Sequence, residues 1–243
     1  MNVAIVTGAT SGIGKEITLQ LLEAGWKVGV TGRNEKALSE LKAKAPAQVY
    51  AASIDIEKPA AREELLGLIR QMDGFDMFVH CAGIGFYEEN LDFKLEEHTA
   101  MTNAVGFVRM VGTAYQFAEA HPGTFRQIVV ISSIAGTKGL GMAPSYSATK
   151  RFQNMYVEAL EQRARIRGVE VGFTDARPGF VDTPLLKGSR FPMLMNPQAV
   201  ARSILNAARK RRRTVTIDWR YRMLVALWRL IPSALWVRMK IRK

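Results

Sequence analysis

Cysteine is almost absent from this sequence of 243 residues, in which Cys81 is the only one. A single thiol excludes a disulfide bond within the chain and fits a reducing compartment. A secretory signal is not predicted, because residues 1–7 form a short apolar run that lacks a basic region and a cleavage site. These absences favour a cytoplasmic protein.

Long apolar runs and acidic residues are both scarce towards the C terminus. Residues 223–231 contain one charged residue, Arg229, but nine residues are far fewer than the about 20 that span a membrane. Residues 209–243 hold 12 of the 34 Lys and Arg residues and one acid, Asp218, whereas the rest of the chain is nearly neutral. The isoelectric point near 10.0 therefore reflects this segment, and an acidic partner would bind there.

Apolar runs alternate with helix-like segments along most of the chain. The runs lack polar alternation, which is typical of strands buried on both faces of a parallel sheet. The predicted strands span residues 2–7, 27–31, 48–54, 75–80, 127–133, 170–176 and 214–217. The first predicted helix begins after Gly14, and the others cover residues 37–45, 62–72, 96–120 and 146–167. We predict an α/β fold over residues 1–217, a single-domain Rossmann-type doubly wound parallel sheet with helices on both faces. A basic amphipathic helical tail is predicted over 218–243.

A glycine-rich loop separates the first predicted strand from the first predicted helix. Gly8, Gly12 and Gly14 follow the pattern Gly-x3-Gly-x-Gly. Glycines in this position let the backbone approach a pyrophosphate, and the N terminus of the following helix offers it free N–H groups. The loop predicts a dinucleotide site, and the alternative is a tight turn that needs small residues.

Arg33 lies 19 residues beyond Gly14, about where a dinucleotide-binding fold meets the adenosine ribose. An acidic residue there would bind the 2′-hydroxyl of NAD, whereas an arginine suits the 2′-phosphate of NADP. Arg33 therefore favours NADP(H), and the alternative is an ordinary surface arginine.

Many candidate binding residues directly follow predicted strands. Ligands of parallel α/β sheets bind at the carboxyl ends of the strands. We therefore expect these residues to converge on one edge of the sheet. They are residues 8–14, Arg33, Asp55, Ala82, Gly83, Ser133 and residues 177–179.

Tyr146 and Lys150 are four residues apart in a segment predicted to be helical, so their side chains share a face. A neighbouring ammonium favours the phenolate and is expected to lower the pKa of the tyrosine from about 10. The pair predicts a proton donor for catalysis. The alternative is a pair of solvated side chains on a helix surface.

Taken together, these motifs resemble the short-chain dehydrogenase/reductase family over roughly residues 2–208. The loop from Thr7 to Gly14 is similar to the cofactor loop of that family. The catalytic tetrad of the family is matched by Asn103, Ser133, Tyr146 and Lys150. Its nicotinamide motif is matched by Pro178, Gly179, Val181 and Thr183.

The resemblance implies a role for each catalytic residue. Tyr146 would be the general acid in reduction and the general base in oxidation, while Lys150 would lower its pKa and hold the nicotinamide ribose. Ser133 would bind the substrate oxygen, and Asn103 would hold a water in a proton relay. The resemblance also implies a homo-oligomer, either a dimer or a tetramer, and no metal. The implied NADP(H) contacts are Gly8, Thr10, Ser11, Gly12, Ile13, Gly14, Arg33, Asn34, Asp55, Ile56, Ala82, Gly83, Tyr146, Lys150, Pro178, Gly179, Val181 and Thr183.

The sequence departs from the family pattern at two places. His80 and Cys81 stand where the family usually has two asparagines, so the side chain that braces its central strands is expected to be missing. Ser11 stands where NADP-preferring members often carry a basic residue. The prediction of NADP therefore depends on Arg33.

Residues 184–197 occupy the position of the family's substrate lid and are rich in leucine, methionine and phenylalanine. Such adaptable apolar surface suits a lipophilic ketone or alcohol, and it equally suits a lid that packs on its own domain. Phe86 and Tyr87 are candidates for the opposite wall of the pocket.

The predicted tail helix, residues 219–231, has a broad face formed by Leu224, Leu227, Trp228 and Ile231. Together with Trp236 and flanking basic residues, this face is typical of a helix that lies on a membrane surface. The alternatives are packing against a partner subunit and a solvated basic surface. Nucleic acid is not predicted, because no recognisable reading module is present.

Three functions agree with the sequence. The first is an NADPH-dependent reductase of a lipophilic ketone, such as a lipid, sphingoid or steroid ketone, at a membrane surface. The second is a reductase of a small soluble carbonyl compound whose tail serves oligomerisation. The third is an NADPH-binding sensor on the same fold, against which the complete catalytic tetrad argues.

Overall fold

Seven parallel strands form one sheet in the computed structural model, which describes residues 2–87, 89–186 and 191–241. The strands are β1 Val3–Thr7, β2 Lys27–Gly32, β3 Val49–Ser53, β4 Met77–His80, β5 Arg126–Ile131, β6 Val171–Pro178 and β7 Thr214–Ile217. Their spatial order is β3-β2-β1-β4-β5-β6-β7, and every pairing is parallel. The predicted fold class is confirmed.

Helices cover both faces of the sheet. They are α1 Gly12–Glu23, α2 Glu35–Lys44, α3 Ala61–Gln71, α4 Phe93–Ala100, α5 Phe107–Ala120, α6 Pro144–Arg167, α7 Pro197–Arg209, α8 Trp219–Leu230 and α9 Ser233–Trp236. Side chains of α1, α2, α7 and α8 share one buried cluster with the sheet. Side chains of α3, α5 and α6 share the other. The strands are apolar on both faces because each face is covered.

The long helix predicted over residues 96–120 is interrupted. A π-helical turn, Met101–Gly106, joins α4 to α5 and contains the buried Asn103. Helical turns of this kind are rare in proteins overall, but those that occur are often found at functional sites. The sequence pattern showed a continuous helix because a π turn keeps the chain helical.

Helix α7 was missing from the prediction, which assigned its first residue to the substrate lid. The side chain of Asn196 accepts hydrogen bonds from the N–H groups of Gln198 and Ala199, and Pro197 opens the helix. An asparagine cap followed by proline is a strong start signal. The apolar residues Val200, Ile204 and Ala208, four apart along the chain, are buried and would have supported it.

Candidate active site

One cleft of about 1900 Å³ runs along the carboxyl ends of the strands. The residues predicted to converge there line it, from Gly8 on the glycine loop to Ser133 after β5 and Gly179 after β6, with the exceptions of Ala9 and Arg177. Two predicted site residues do not line it. Asn34 uses its side-chain oxygen to accept a hydrogen bond from the N–H of Ala37, which caps α2, and Asn103 lies behind the wall of the cleft.

The glycine loop leaves no room for side chains. A Cβ atom on Gly14 would lie 2.2 Å from the carbonyl oxygen of Gly8, and Gly8 itself has a φ of +71°. Gly12 opens α1, has a φ of +51°, and would bring a Cβ within 3.2 Å of Thr183. The loop is thus a tight turn that presents bare backbone to the cleft at the start of a helix. This shape fits a dinucleotide pyrophosphate.

Arg33 lies at the far end of the cleft with its side chain 58% exposed. Its guanidinium is 4.0 Å from the carboxylate of Glu57, which also contacts the imidazole of His98 at 3.0 Å and the hydroxyl of Thr102. Asp55 accepts a hydrogen bond from the N–H of Glu57. An exposed cation at this position is free to meet a phosphate, and Glu57 restricts where it points.

Ser133, Tyr146 and Lys150 meet in the middle of the cleft. The Lys150 ammonium lies 5.7 Å from the centre of the Tyr146 ring, and the Ser133 hydroxyl, which accepts a hydrogen bond from the N–H of Ala135, lies near the phenol. Gly85 packs against the other side of the ring, where a Cβ atom would lie 2.4 Å from it. The helical spacing of Tyr146 and Lys150 on α6 therefore does place them together.

The pKa of Tyr146 does not follow the expectation from the sequence. Burial raises the pKa of the phenol above its ordinary value, and the hydrogen bond with Ser133 partly opposes this rise. The expected lowering was wrong in direction, because the packing that brings Lys150 close also removes water from the phenol. Burial lowers the pKa of Lys150 to about 8, while the carboxylate of Asp175 acts to raise it.

Lys150 is held by two acceptors. Its ammonium donates to the main-chain oxygen of Ile131 at 3.0 Å and to the side-chain oxygen of Gln153 at 3.1 Å. Gln153 in turn donates to the main-chain oxygen of Asn103 at 2.9 Å. The side-chain amide of Asn103 makes two hydrogen bonds with the backbone of Ile84. Its oxygen accepts from the N–H at 2.9 Å, and its nitrogen donates to the carbonyl oxygen at 2.7 Å. The resemblance implied that Asn103 holds a water, and in the structure its main-chain oxygen accepts a hydrogen bond from a side-chain amide.

The side chain of Asp175 connects three parts of the site. This buried carboxylate accepts from the hydroxyl of Ser132, from Asn154 at 2.9 Å and from the guanidinium of Arg177 at 2.6 Å and 2.7 Å. Ser132 adjoins Ser133 and Arg177 adjoins the Pro178-Gly179 motif. Sequence reasoning missed this group, because its members are close only after β5, β6 and α6 pack together.

His80 partly replaces the brace between the central strands, which was expected to be missing. Its Nδ1 lies 2.9 Å from the hydroxyl of Thr7, which links β4 to β1, while its Nε2 has no hydrogen-bond partner among the described residues. Burial, and then the charge of Lys150, lower the pKa of His80 to about 3. Burial raises the pKa of the neighbouring Cys81 to about 12, so its thiol is neutral.

The predicted substrate lid packs tightly at its base. Phe180 and Phe191 stack with ring centres 4.3 Å apart, and Met195 is buried beside Val181. Residues 187–190 of the predicted lid lie outside the described residues. Phe86 and Tyr87 line the cleft, as predicted for the wall opposite the lid.

Helix α8 is anchored to the nicotinamide motif. Tyr221 is fully buried, and a Cβ atom on Gly179 would lie 2.3 Å from its ring. The hydroxyl of Tyr221 donates to the main-chain oxygens of Pro192 and Met193, both at 3.1 Å. The tail therefore holds the lid and the floor of the cleft together.

The end of the tail is fastened to the opposite wall. The indole N–H of Trp236 donates to the main-chain oxygen of Gly139 at 2.7 Å, and Lys138 donates to that of Ile231 at 2.7 Å. Trp228 packs on Trp236 with ring centres 5.4 Å apart. The tail residues that line the cleft are Tyr221, Leu224, Trp228, Ser233, Trp236, Val237, Met239, Lys240 and Ile241.

The face of α8 expected on a membrane is thus mostly turned inwards. Leu224 and Trp228 line the cleft, whereas Leu227 of the same predicted face is 60% exposed. The reason is that Tyr221 lies seven residues before Trp228, on the same side of the helix, and the apolar stripe that they share packs inwards. The sequence contained this spacing, which would have indicated the buried side.

A different apolar stripe faces outwards, and we call it the outer stripe. It consists of Trp219, Met223, Leu227 and Leu230, all at least 59% exposed. Within the described part of the chain, no helix combines the length and apolar character needed to cross a membrane. Residues 242–243 of the predicted tail lie outside the described residues.

Comparison with known proteins connects this site to a family. A family model for short chain dehydrogenases matches residues 2–192. The NADP-dependent 3-hydroxy acid dehydrogenase YdfG of Escherichia coli O6:H1 is 32% identical over 194 residues, which cover 78% of this chain and 76% of that protein. An uncharacterized oxidoreductase of Myxococcus xanthus is 32% identical over 197 residues, with coverage of 78% and 76%.

Solved structures share the fold. A short chain dehydrogenase from Burkholderia cenocepacia J2315 in complex with NADP superimposes with a TM-score of 0.85 over 99% of this chain and 98% of that chain, at 20% identity. The closed form of a serine dehydrogenase complexed with NADP+ reaches a TM-score of 0.77 over 88% and 94%, at 26% identity.

Proposed function

Because the chain belongs to the short-chain dehydrogenase/reductase family, we propose that it is an NADPH-dependent oxidoreductase that reduces a ketone to a secondary alcohol. One observation carries this proposal, namely that Ser133, Tyr146 and Lys150 meet in the same cleft as the glycine loop. When bound, NADPH supplies the hydride that the carbonyl carbon accepts.

The chain's own residues supply binding, orientation and the proton. The hydroxyl of Tyr146 donates its proton to the ketone oxygen, and Ser133 donates a hydrogen bond to the same oxygen. Lys150 holds the nicotinamide ribose and places a positive charge near the phenolate that remains. The cofactor contacts predicted from the sequence stand as part of this proposal, apart from Asn34, whose side chain is used as a helix cap.

Arg33 supports a preference for NADPH, as do the NADP complexes among the structural neighbours and the NADP-dependent relative. A titration with NADPH and NADH, on the wild type and Arg33→Ala, tests this. We expect at least about tenfold tighter binding of NADPH, which is about 1.4 kcal/mol, and loss of that preference in the variant. Equal binding of both cofactors by the wild type would contradict the assignment.

We propose a lipophilic substrate, because apolar side chains of the lid and the tail form the walls beyond Tyr146. The wall residues are Leu140, Met142, Leu185, Leu186, Phe191, Met193, Leu224, Trp228, Trp236, Val237, Met239 and Ile241. NADPH oxidation across a panel of long-chain, steroid and small ketones tests this proposal. Activity that rises with chain length supports it, and activity confined to small ketones contradicts it.

A 3-oxo acid, or the corresponding 3-hydroxy acid, is the second candidate substrate. The ionisable side chains Lys138, Arg151 and Lys240 on this part of the cleft are cationic, and the relative YdfG is a 3-hydroxy acid dehydrogenase. Pairs of 3-oxo acids and their methyl esters distinguish the candidates. A preference for the acid favours this substrate class, and a preference for the ester favours a neutral lipophilic ketone.

We propose that the chain forms a homo-oligomer through the apolar surface of α4, the π turn and α6. This surface consists of Phe93, Met101, Val105, Phe152 and Met155, which are 40–73% exposed. Light scattering of the wild type and Met155→Glu tests it. A dimer or tetramer that dissociates in the variant supports the surface, and an unchanged mass contradicts it.

We propose that the enzyme is cytoplasmic and that the outer stripe attaches it to a membrane surface. Apolar residues flanked by Arg222, Arg229 and Arg238 suit an anionic bilayer. Co-sedimentation with vesicles containing phosphatidylserine, for the wild type and Leu227→Glu, tests it. We expect binding that weakens in the variant and with salt. Equal sedimentation of both proteins would contradict the role of the stripe.

A sensor that binds NADPH without turnover is the third possibility raised by the sequence. Tyr146→Phe separates it from an enzyme, since a sensor does not use the phenol. If the wild type oxidises NADPH with any ketone and the variant does not, the sensor is excluded. Binding without oxidation across the whole panel would favour it.

A further inference from the structure

Gln153 is a fully buried amide inside the catalytic helix, one turn beyond Lys150. Its oxygen accepts a hydrogen bond from the Lys150 ammonium at 3.1 Å, and its nitrogen donates to the main-chain oxygen of Asn103 at 2.9 Å. Both polar ends of the side chain are therefore satisfied. The amide forms a fixed link between α6 and the π turn.

The π turn makes this link possible. Its helical geometry differs from that of α4 and α5, and its carbonyl at Asn103 accepts a hydrogen bond from a side chain. The side chain of Asn103 is hydrogen-bonded to the backbone of Ile84 and to the hydroxyl of Thr149, and not to the Lys150 ammonium. Among the described residues, Gln153 is the side chain that hydrogen-bonds both the π turn and the Lys150 ammonium.

We propose that Gln153 is a positioning residue of the oxidoreductase site, which fixes the Lys150 ammonium by bridging it to the main-chain oxygen of Asn103. A neutral amide oxygen stabilises the charged form of Lys150 and, unlike a water, cannot diffuse away. The bridge holds the lysine in place and does not pass a proton, since an amide is a poor proton carrier near neutral pH. This inference rests on the proposed role of Lys150 in holding NADPH.

Four other polar or ionisable groups face Lys150, and three of them are neutral at pH 7. His80 from β4, with a pKa of about 3, and Cys81, with a pKa of about 12, are neutral at pH 7. Burial raises the pKa of Tyr146 above its ordinary value, so it is also neutral there. Asp175 from β6 is the carboxylate whose charge acts on Lys150. Lys150, with a pKa of about 8, is therefore the member of this group that titrates first above neutral pH.

The test measures NADPH affinity by fluorescence from about pH 6 to about pH 10, which requires no substrate. In the wild type, affinity should fall as Lys150 loses its proton. Gln153→Leu removes one hydrogen bond to the ammonium, so the midpoint of the fall should move down by about one pH unit. Gln153→Glu places a carboxylate beside the ammonium, so the midpoint should move up.

Gln127→Leu is the matched control, because Gln127 is another buried glutamine, at the opposite end of β5 from Ile131. It donates to the hydroxyl of Thr174 at 2.9 Å, far from Lys150 in the fold. We expect it to lower the melting temperature without moving the midpoint. If Gln153→Leu and Gln153→Glu also leave the midpoint unchanged, Gln153 only packs, and the proposal is wrong.

Two further outcomes separate this inference from the proposed function. If wild-type affinity does not fall with rising pH, the Lys150 charge does not hold NADPH, and the inference fails together with that role. If the wild type shows the fall and Gln153→Leu is too unstable to study, Gln153→Glu alone decides. An upward shift of its pH midpoint supports the proposal, because a damaged structure would not hold NADPH to a higher pH.

Discussion

The cleft has one half that holds the predicted cofactor contacts, called the cofactor half, and one that holds the proposed substrate walls, called the substrate half, and the two are built in different ways. The cofactor half consists of turns that directly follow strands, so its glycine loop, Arg33 and Asp55 occupy fixed places along the chain. The substrate half consists of segments far apart in sequence, such as Trp236 on Gly139 and Ile231 on Lys138. Short motifs therefore describe the first half well, whereas the second depends on how the C-terminal helices fold back.

The largest expected effect would sharpen this comparison at the centre of the cleft. Ser133→Ala should reduce the rate of ketone reduction about 100- to 1000-fold, because it removes a hydrogen bond to the substrate oxygen. The measurement is steady-state NADPH oxidation with the best ketone of the panel, beside the melting temperature.

The neighbouring Ser132→Ala is the comparison for that variant. Ser132 donates to the buried Asp175, so its loss should lower the free energy of unfolding by about 1–3 kcal/mol and the rate by less than Ser133→Ala. Equal losses of rate in the two variants would show that Ser133 also acts through structure alone.

Acid sensitivity is the next largest effect, and it belongs to the cofactor half. The pKa of His80 falls from 6.5 to about 3 on folding, so the unfolded chain binds a proton between these values and the folded chain does not. Stability should therefore decline as pH falls from about 6.5 towards 3, by about 4 kcal/mol in total.

His80→Asn, which introduces the residue usual in the family, should remove most of this decline. The measurement is urea unfolding at about pH 7 and about pH 4.5, both above the folded pKa of His80. A decline of the same size in the variant would assign the acid sensitivity to other groups.

A smaller effect is expected where the two halves meet. Gly179→Ala would place a Cβ atom 2.3 Å from the ring of Tyr221, so it should lower the free energy of unfolding by about 1–3 kcal/mol. Gly67→Ala in α3, where the Cβ would meet open space, should instead raise it by about 0.5–1 kcal/mol. Chemical denaturation measures both, and a neutral Gly179→Ala would mean that α8 adjusts freely.

The smallest effect concerns the far end of the tail. Trp236→Phe removes the indole N–H that donates to Gly139, and should cost about 0.5–1.5 kcal/mol in stability. The KM for a lipophilic ketone should rise with little change in kcat, because the tail forms a wall and touches no reacting atom. Trp219→Phe, on the exposed outer stripe, is the matched control and should leave KM unchanged. A fall in kcat for Trp236→Phe would contradict a purely binding role.

The difference between the halves also explains what could be predicted from the sequence. The parallel sheet follows from apolar runs and the meeting of Tyr146 with Lys150 follows from helical spacing, and both are local signals. The raised pKa of Tyr146 could not be predicted, because it depends on burial by neighbours such as Gly85. A spacing identifies which groups meet, but the balance of desolvation and charge requires the packed structure.

The tail shows the same limit in a different form. Trp228 and Trp236 with nearby basic residues are typical of a membrane surface, but in the structure both rings pack against the protein. An apolar helix face indicates that something covers it, and the sequence does not state what. Helix α7 is a different case, since its cap and its periodicity are local signals that the sequence contains.

The contact between Gly179 and Tyr221 has a consequence for how such enzymes can be recombined. A glycine in the nicotinamide motif packs directly against an aromatic ring more than 40 positions later, so a change at either position requires a matching change at the other. Grafting the tail of a relative onto this chain should succeed only where the graft supplies a ring, or a compensating side chain, at position 221. Chimeras for changing substrate range should therefore exchange the motif and the tail together.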